Sequence, residues 1–510
     1  MAFNPLVVSA VKRLTISKTI PLGSYRSIPF VRLEGMAHGE LCPTEHISDL
    51  DKAPRNANGN VEYQTRFVLI APAEFKQGQG RLLVDVPNRG LPVTHAFYNS
   101  SRQQPLPIGS LDTGLGFLQE QGFMMVSTQW ELGQGFEPPW FVDEQGVMRF
   151  VEAAGFAAVR DVARFLRDSV QPDNPLAGAI KRIYAIGYSQ TSRFLKSFLL
   201  NGFNIVQGRQ VIEGFHLVGG AAGQLPLMAS GAGPGTVAGS TPAPPNLEHR
   251  GVHEEPFTYA AVIATLQARN ELLPKIFVTH FNIDYMGGRA SLTRTGAQGT
   301  ADLALPDSVR MYDIAGSAHL NIREQYKLCE SMHGQLDWSP PLRAQLIALD
   351  HWVSEQRDPP PSCLMLLRHP RADEAVFGAP QYLPEATVLV PQTDADDNPL
   401  GGIQVPDVAV PLGTHGRPNA PVTHVICRTA GTYKPFFALQ QERLQANDPR
   451  LSLEERYPEG LNQYVQRVRE VSDQLVAQRY LLAADAAVII NAAADEMHLK
   501  PTPTRPIFCL

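Results

Sequence analysis

The stretch of this chain that most restricts its fold is residues 182–193, which reads RIYAIGYSQTSR. It starts as an apolar run typical of a buried strand, turns at 187–190 and continues into 194–200, which is apolar at helical spacing. A strand, a tight turn with a central serine and a helix are the context in which such a sequence indicates a nucleophile elbow. The turn would lift the Ser189 hydroxyl off the sheet and place the Gln190 N–H at the start of a helix.

Residue 191 departs from the full G-x-S-x-G pattern, because Thr191 stands where the second glycine is usual. A glycine at that position lets the helix pack close to its strand, and a small residue can serve the same purpose. The alternative interpretation is a surface serine in an ordinary strand-to-helix turn. The motif alone does not separate these interpretations, so the rest of the chain has to.

Composition places the chain among ordinary globular proteins. Its 510 residues, 44% hydrophobic and 18% charged, suffice for two or three average domains with a large core. The net charge of -6 is modest and no long basic run occurs, so nucleic acid is not an expected partner. No apolar run reaches the roughly 18–20 residues of a membrane span, so no membrane partner is expected.

The cysteines and the N-terminus favour a reducing, cytoplasmic location. The five cysteines are scattered and include no C-x-x-C pair, which indicates neither a disulfide framework nor a zinc site. The N-terminal apolar stretch is short and its positive charges follow it, the reverse of a secretory signal. No metal-ligand cluster or dinucleotide fingerprint occurs, so we expect neither a metal nor an organic cofactor.

Apolar strands alternate with helical patterns along the chain. Residues 1–70 open with short strands, among them 8–16 and 63–70, which suggests an antiparallel start. Later strands are apolar on both faces, as in a sheet covered on both sides, and are expected at 81–90, 122–130, 182–186, 211–220, 275–284 and 308–319. Helices are expected at 111–119, 150–168, 194–200 and 342–355. This alternation predicts an α/β fold with a mostly parallel, doubly wound sheet.

Three chemically useful residues are expected at the carboxyl ends of strands, where such sheets bind ligands: Ser189, Asp284 and His319. A serine hydroxyl is a poor nucleophile at neutral pH and needs a base and a carboxylate that orients the base. After an elbow the acid should precede the histidine, as it does here. Rival acids are Asp302 and Asp313, and weaker bases are His216, His249, His253 and His280.

Two stretches stand apart from the alternating pattern. Residues 221–255 are rich in Gly, Pro and Ala and too long for an ordinary loop, so we expect a lid insertion over 221–275, with a disordered excursion as the alternative. Three prolines at 359–361 mark a boundary between a catalytic domain, 1–360, and a C-terminal region, 361–510. That region holds short strands, then helical patterns from 451 to 499 with a long amphipathic run at 461–482. It is either a separate domain or a cover wrapped around the catalytic one.

The elbow, the acid after the next-to-last strand and the histidine after the last strand resemble the α/β-hydrolase superfamily. More closely, the chain resembles large bacterial proteins known only as alpha/beta hydrolase domain proteins. The similar blocks lie at 86–90, 187–190, 201–204, 306–312, 315–319 and 408–414. The resemblance covers most of the chain, so it implies an α/β-hydrolase fold in which 361–510 covers the catalytic domain. The chain departs from the family's usual pattern at 284–286, where a glutamate and two aromatics are common, and at 415–419.

The resemblance also implies roles for further residues. The Gln190 N–H would form one half of an oxyanion hole, and the turn after an early strand would supply the other half from Asn88, Arg89 or Gly90, unless that turn is only a tight turn. Aromatic side chains that would line a substrate pocket, or simply pack, are Trp130, Tyr188 and Tyr285.

These features together predict a serine esterase or lactonase that acts on a small-molecule carboxylic ester. An acyltransferase would use the same three residues with a different acceptor, and the sequence does not separate the two. A third hypothesis is a catalytically silent ligand-binding protein on the same scaffold. The ester itself and the oligomeric state are not readable from the residues.

Overall fold

The computed structural model of the protein describes residues 9–225, 227–228, 258–320, 329–374, 376, 378 and 384–499. The chain divides into two compact units, residues 1–276 with 380–383 and residues 277–379 with 384–510. Most of the expected lid, residues 229–257, lies outside the described residues. The expected boundary after residue 360 remains a prediction.

Unit 1 is an α/β structure whose strands outnumber its helices among the described residues. Its strands are β1 (Ala10–Tyr25), β2 (Ile28–Leu41), β3 (Val61–Pro72), β4 (Arg81–Asp85), β5 (Phe123–Thr128), β6 (Phe136–Glu137), β7 (Trp140–Val142), β8 (Met148–Phe150), β9 (Arg182–Tyr188), β10 (Ile205–Val206), β11 (Arg209–Gln210) and β12 (Gly214–Val218). Its helices are α1 (Thr94–Tyr98), α2 (Phe117–Glu120), α3 (Ala154–Asp168), α4 (Gln190–Leu200) and α5 (Tyr259–Ala268). Short 3₁₀ turns lie at Leu50–Lys52 and Phe75–Gln77.

The sheet of unit 1 changes from antiparallel to parallel. Strands β1, β2, β3 and β5 pair antiparallel in that order, which confirms the antiparallel start. From β5 onwards the order is β5-β4-β9-β12 and every pairing is parallel, with Leu83 opposite both Met125 and Tyr184. The parallel strands are buried along almost their whole length, as their unbroken apolar runs predict. Because these strands run parallel, their carboxyl ends lie at the same edge of the sheet.

One predicted helix is wrong. Residues 111–119 are irregular except for the single turn of α2, which begins only at Phe117. Gly114 and Gly116 both have left-handed backbone, with φ of 48° and 69°, and such residues interrupt a right-handed helix. A side chain at Gly114 would also meet the Asn99 carbonyl oxygen at 2.5 Å. The apolar residues here lie in irregular turns: Leu111 packs against a core cluster, whereas Leu115 is exposed.

Unit 2 contains two neighbouring sheet strands, several short strands and the C-terminal helices. Its strands are β13 (Lys275–Phe281, whose first two residues belong to unit 1), β14 (Val309–Ile314), β15 (Leu367–Arg368), β16 (Val390–Pro391), β17 (Gly413–His415) and β18 (Tyr433–Pro435). Its helices are α6 (Asn282–Gly287), α7 (Ser339–Glu355), α8 (Pro406–Ala409), α9 (Val425–Ala430), α10 (Gln440–Gln445), α11 (Leu453–Arg456), α12 (Leu461–Ala477) and α13 (Ala483–Leu499), with a 3₁₀ turn at Ala290–Thr293. Strands β13 and β14 are neighbours in the sheet.

The C-terminal residues of unit 2 pack on its sheet strand rather than apart from it. Ile403 forms a β-bridge with Ile314 of β14, and a buried ion pair of 2.6 Å joins Arg343 of α7 to Asp485 of α13. The predicted amphipathic run at 461–482 is α12, which buries Tyr464 and other apolar side chains in a cluster with α13. Within this unit the region after residue 360 therefore shares a core with the residues before it.

Candidate active site

The backbone of Ser189 is strained in the way a nucleophile elbow requires. Ser189 lies between β9 and α4 with φ of 53° and ψ of -109°, a region that a residue with a Cβ rarely occupies. Such strain costs about 1–3 kcal/mol and persists only where the surroundings impose it. Here the Ser189 N–H donates to the Val218 carbonyl at 2.8 Å, and the Arg193 N–H donates to the Ser189 carbonyl at 3.2 Å. Neighbouring strand and helix thus hold the serine at the carboxyl edge of the sheet.

Thr191 stands in place of the second glycine of the motif, and its side chain hydrogen-bonds the end of the preceding strand. Its Oγ1 lies 2.9 Å from the Tyr188 nitrogen, whose N–H it accepts, and 3.1 Å from the Tyr188 carbonyl oxygen, to which it donates. The first glycine is the one that the close approach requires, because a Cβ on Gly187 would lie 2.3 Å from the Thr191 carbonyl oxygen. Thr191 is completely buried, and these two hydrogen bonds satisfy its hydroxyl.

The predicted oxyanion turn after β4 is a tight two-residue turn. Asn88 and Leu91 exchange backbone hydrogen bonds of 2.9 and 3.0 Å, and Arg89 and Gly90 have φ of 53° and 78°. Two consecutive left-handed residues are the mark of a type I′ turn. The Asn88 N–H is used inside the turn, and the Arg89 N–H donates to Oε1 of Gln190 at 3.2 Å. The Gly90 N–H makes no hydrogen bond within the described part of the chain, so of the three predicted donors it is the one left for a ligand.

In unit 2 the structure brings Asp284 and His319 together. Nδ1 of His319 lies 2.7 Å from Oδ1 of Asp284, and the other carboxylate oxygen accepts the Phe281 N–H at 2.8 Å. Asp284 is 4% exposed, whereas the His319 side chain is 13% exposed. A carboxylate that accepts the Nδ1 proton fixes the tautomer in which Nε2 carries the lone pair. The pair has the geometry of an oriented general base.

The turn between β14 and His319 fixes the start of α6, which carries Asp284. Oγ of Ser317 donates to the Ile314 carbonyl oxygen at 2.5 Å and accepts the Asn282 N–H at 3.1 Å. Gly316 has φ of 69°, and a side chain there would meet Val408 at 2.7 Å. The segment after residue 360 therefore packs directly against the turn that leads to His319.

The rival acids are used elsewhere. Arg294 is almost fully buried and pairs with Asp302 at 2.6 Å and with Asp313 at 2.8 Å. Of the rival bases, His216 lies 2.7 Å from the Tyr98 hydroxyl, and His280 lies 3.4 Å from Asp313. His249 and His253 lie outside the described residues.

The three predicted pocket aromatics are buried. Trp130 donates its ring N–H to the Pro87 carbonyl at 2.9 Å, and the Tyr188 ring packs edge-on against Phe97. The Tyr285 hydroxyl donates to Asp313 at 2.8 Å. Each of the three side chains is at most 2% exposed. Contact with a substrate stays a prediction for all three.

Two buried carboxylates of unit 1 escaped the sequence analysis. Glu131 lies three residues after β5, and Glu152 lies two residues before α3. Both are nearly buried, and burial raises the pKa of each. The signal that could have found Glu131 is its place just past the carboxyl end of a parallel strand, the same position that singled out the other candidates.

The expectation from the cysteines also needs correction, because Cys329 and Cys427 form a disulfide across 98 residues of sequence. Widely spaced cysteines without a motif give no pairing signal, so the bond is invisible until the fold brings the residues together. Among the described residues no group of three or more His, Cys, Asp or Glu side chains is arranged to hold a metal ion. None of the described helices is both long and apolar enough to cross a membrane.

The chain is similar to known proteins both in sequence, at the level of a family, and in structure. The alpha/beta hydrolase domain model matches residues 127–491. Similar solved structures include a candidate acetyl xylan esterase from Bacteroides fragilis, with 14% identity over 61% of this chain and 70% of that chain and a TM-score of 0.29. The rice cell wall degrading esterase LipA from Xanthomonas oryzae matches at 14% identity over 40% of this chain and 50% of its own, with a TM-score of 0.21. Brefeldin A esterase, a bacterial homologue of human hormone sensitive lipase, matches at 13% identity over 52% of this chain and 63% of its own, with a TM-score of 0.22.

The three structures are too distant to carry an argument about activity, and the chain spans no more than about two thirds of the length of the last two. No curated protein matches the chain in sequence. The family model, however, covers well over half of the 510 residues. The chain therefore belongs to the alpha/beta hydrolase domain family and has the α/β-hydrolase fold.

Proposed function

We propose that the protein is a serine hydrolase that cleaves a carboxylic ester or lactone of a small molecule. The observation that carries the proposal is the strained backbone of Ser189, held between a buried parallel strand and a helix. Strain of this kind in a family of hydrolases is best explained by the need to present a nucleophile. The histidine–aspartate pair in unit 2 supports the same reaction.

Each residue has one role in the proposed mechanism. His319 takes the proton from the Ser189 hydroxyl as the oxygen attacks the ester carbonyl carbon, and Asp284 stabilises the imidazolium that forms. The Gln190 N–H, at the start of α4, and the Gly90 N–H hold the developing oxyanion. Collapse of the intermediate expels the alcohol, protonated by His319, and leaves an acyl-enzyme. Water activated by the same histidine then releases the acid.

Labelling with a fluorophosphonate probe, followed by peptide mapping, tests the nucleophile and the base. We expect the probe to attach to Ser189 in the wild-type protein and to no peptide of this region in Ser189→Ala. Labelling of Ser189 should slow strongly in His319→Ala. A folded wild-type protein that remains unlabelled would point instead to a silent binding protein on this scaffold.

Two variants serve as matched controls. Ser192 lies on the same helix, one turn beyond the elbow, is completely buried, and its hydroxyl has no hydrogen-bond partner among the described residues. His424 is an exposed histidine of unit 2. Ser192→Ala and His424→Ala should label and hydrolyse p-nitrophenyl acetate like the wild type. Loss of labelling in either control would assign the effect to folding rather than to chemistry.

The cytoplasmic location, proposed from the sequence, now faces a contrary observation. Structural disulfides are rare in reducing compartments, and the Cys329–Cys427 bond favours an oxidising one. Fractionation of cells that express the full-length protein, with free-thiol counting after rapid alkylation, decides between the two. A cytoplasmic fraction with four or more free thiols would support the original proposal.

A further inference from the structure

Two buried carboxylates in unit 1 have no part in the proposed triad. Glu131 is 4% exposed and Glu152 is 8% exposed. Oε2 of Glu131 and Oε1 of Glu152 have no hydrogen-bond partner among the described residues. A buried acceptor without a partner typically costs about 1–3 kcal/mol. Two such costs at one place, next to a proposed active site, call for a functional explanation.

The segment that carries Glu131 braces the predicted oxyanion turn at both ends. The ring N–H of Trp130 donates to the Pro87 carbonyl at 2.9 Å, and the side-chain amide of Gln129 donates to the Gly90 carbonyl at 3.0 Å. Glu131 follows these two residues directly. Glu131 is therefore one residue away from a direct hydrogen bond with the turn.

Gln190 links the same carboxylate to the elbow. Its Oε1 accepts the Arg89 N–H at 3.2 Å. Burial raises the pKa of the Glu131 carboxyl, while the nearby Gln190 amide and the charge of Arg89 partly offset that rise. The Gln190 amide nitrogen is thus close to Glu131, although it completes no hydrogen bond of normal geometry within the described residues. Catalytic hydrogen bonds are often loose without substrate and tighten when it binds.

Glu152 stands behind Glu131. Burial, followed by the negative charge of Glu131, raises the pKa of Glu152 to about 7. The two segments pack tightly, because a side chain on Gly155, in the first turn of α3, would lie 2.5 Å from the Trp130 carbonyl oxygen. The charged groups that act on the two carboxylates, among the described residues, are the carboxylates themselves and Arg89. The pair therefore changes its total charge close to neutral pH.

We propose that Glu131 and Glu152 are positioning residues whose joint charge sets the strength of the oxyanion site formed by the turn at residues 87–90 and the start of α4. This inference rests on the proposed function. With one carboxyl protonated, substrate binding tightens the contact between Glu131 and the Gln190 amide, and Gln190 accepts the Arg89 N–H and so supports the turn. With both ionised, the pair carries a second buried negative charge, and its repulsion of the developing oxyanion raises the energy of the transition state.

The pH dependence of kcat/KM on p-nitrophenyl acetate tests the proposal. In the wild type the rate should fall about tenfold as Glu152 ionises, with the fall centred near pH 7. Glu152→Gln cannot ionise at this position, so the falling limb should disappear. Glu131→Gln leaves the pair with at most one negative charge at any pH, so the falling limb should disappear in this variant as well.

A glutamate at the opposite end of the parallel strands provides the control. Glu213 precedes β12, pairs with Arg167, and burial raises its pKa as well. Glu213→Gln should keep the wild-type shape of the profile. A purely structural role for Glu131 and Glu152 would lower kcat at every pH without changing that shape, and this result would overturn the proposal.

The remaining outcomes also decide. If Glu131→Gln fails to fold, the presence or absence of the falling limb in Glu152→Gln alone settles the matter. If the probe labels Ser189 and both isosteric variants keep the wild-type profile, only this inference fails. If the probe does not label Ser189, the proposed function fails and this inference falls with it.

Discussion

Two histidine–aspartate pairs from the same two strand regions of unit 2 differ in almost every physical respect. Asp284 and His319 lie just past the ends of β13 and β14 and are 2.7 Å apart, with the histidine 13% exposed. His280 and Asp313 lie within those strands, 3.4 Å apart, and each is at most 1% exposed. A position past the strand end gives a side chain access to a ligand, and a position within the strand does not.

The partners of the two carboxylates explain the difference further. Asp284 accepts one backbone N–H and one histidine nitrogen. Asp313 accepts three other donors on one oxygen: Tyr285, Arg294 and the Met365 N–H, each at 2.8 Å. A carboxylate whose charge is already neutralised by a guanidinium stabilises an imidazolium only weakly. We propose that the first pair exchanges protons, whereas the second belongs to a buried charge network with Arg294 and Tyr285.

The comparison predicts its largest effect for the two histidines. His319→Ala should lower kcat/KM on p-nitrophenyl acetate by about 10⁵–10⁶-fold, because a serine hydrolase without its base loses most of its chemistry. His280→Asn should change kcat/KM less than about tenfold, since His280 only packs near Asp313. Purified variants are compared in one assay after circular dichroism has confirmed folding. Equal losses in both variants would break the distinction between the pairs.

A second, smaller effect should separate the aspartates in activity. Asp284→Asn should reduce kcat by about 10⁴-fold, because an amide at this position favours the wrong tautomer of His319. The substrate KM should change little, since Asp284 touches no substrate in the proposed mechanism. A loss below about tenfold would return Asp302 and Asp313 to consideration as the acid, and single-turnover measurements would then locate the affected step.

The third effect concerns stability, for which we expect the larger loss at Asp313 rather than at Asp284. Asp313→Asn leaves the Arg294 guanidinium buried with only Asp302 as an ionised partner, and breaking a buried pair typically costs about 3–5 kcal/mol. Urea unfolding should therefore show a large loss of unfolding free energy for Asp313→Asn and a smaller one for Asp284→Asn, while activity follows the opposite order. The same order in both measurements would mean that the two pairs are not functionally distinct.

How far the sequence could anticipate these differences depends on the range of the interaction. The elbow, the strand ends and the order of acid and histidine follow from local patterns, so the sequence alone could place Ser189, Asp284 and His319 just past the ends of strands. The partner of a buried arginine is not local: nothing near Arg294 in sequence indicates that it, rather than a histidine, binds Asp313. Long-range pairing decides which of several carboxylates is already satisfied, and only the fold reveals that.

The same limit explains the other differences between sequence and structure. The hydroxyl of Thr191 bonds to the strand before it, which a motif written for glycine does not anticipate. The helix expected at 111–119 gave way to glycine turns whose left-handed backbone no apolar spacing reveals. The strand-end position of Glu131 is readable from the sequence. The burial of Glu131 and Glu152 is not, because it depends on tertiary packing.

The last and smallest effect concerns the disulfide. Its helix, α9, contacts the residue that follows His319 and so lies near one of the two histidine–aspartate pairs. Cys427 lies in α9, whose Thr429 carbonyl oxygen accepts the Leu320 N–H at 3.1 Å, one residue beyond His319. The bond closes a loop across 98 residues, and such bonds typically contribute about 2–4 kcal/mol to the unfolding free energy. Cys427→Ser should lower the stability by that amount and kcat only severalfold, since the His319 turn loses one support and keeps its bond to Asp284.

Cys363→Ser, at a free and half-buried cysteine, is the matched control and should change neither the stability nor kcat. If Cys427→Ser lowers stability but leaves kcat at the wild-type value, the disulfide supports the fold alone, and the two histidine–aspartate pairs then differ only in their immediate contacts.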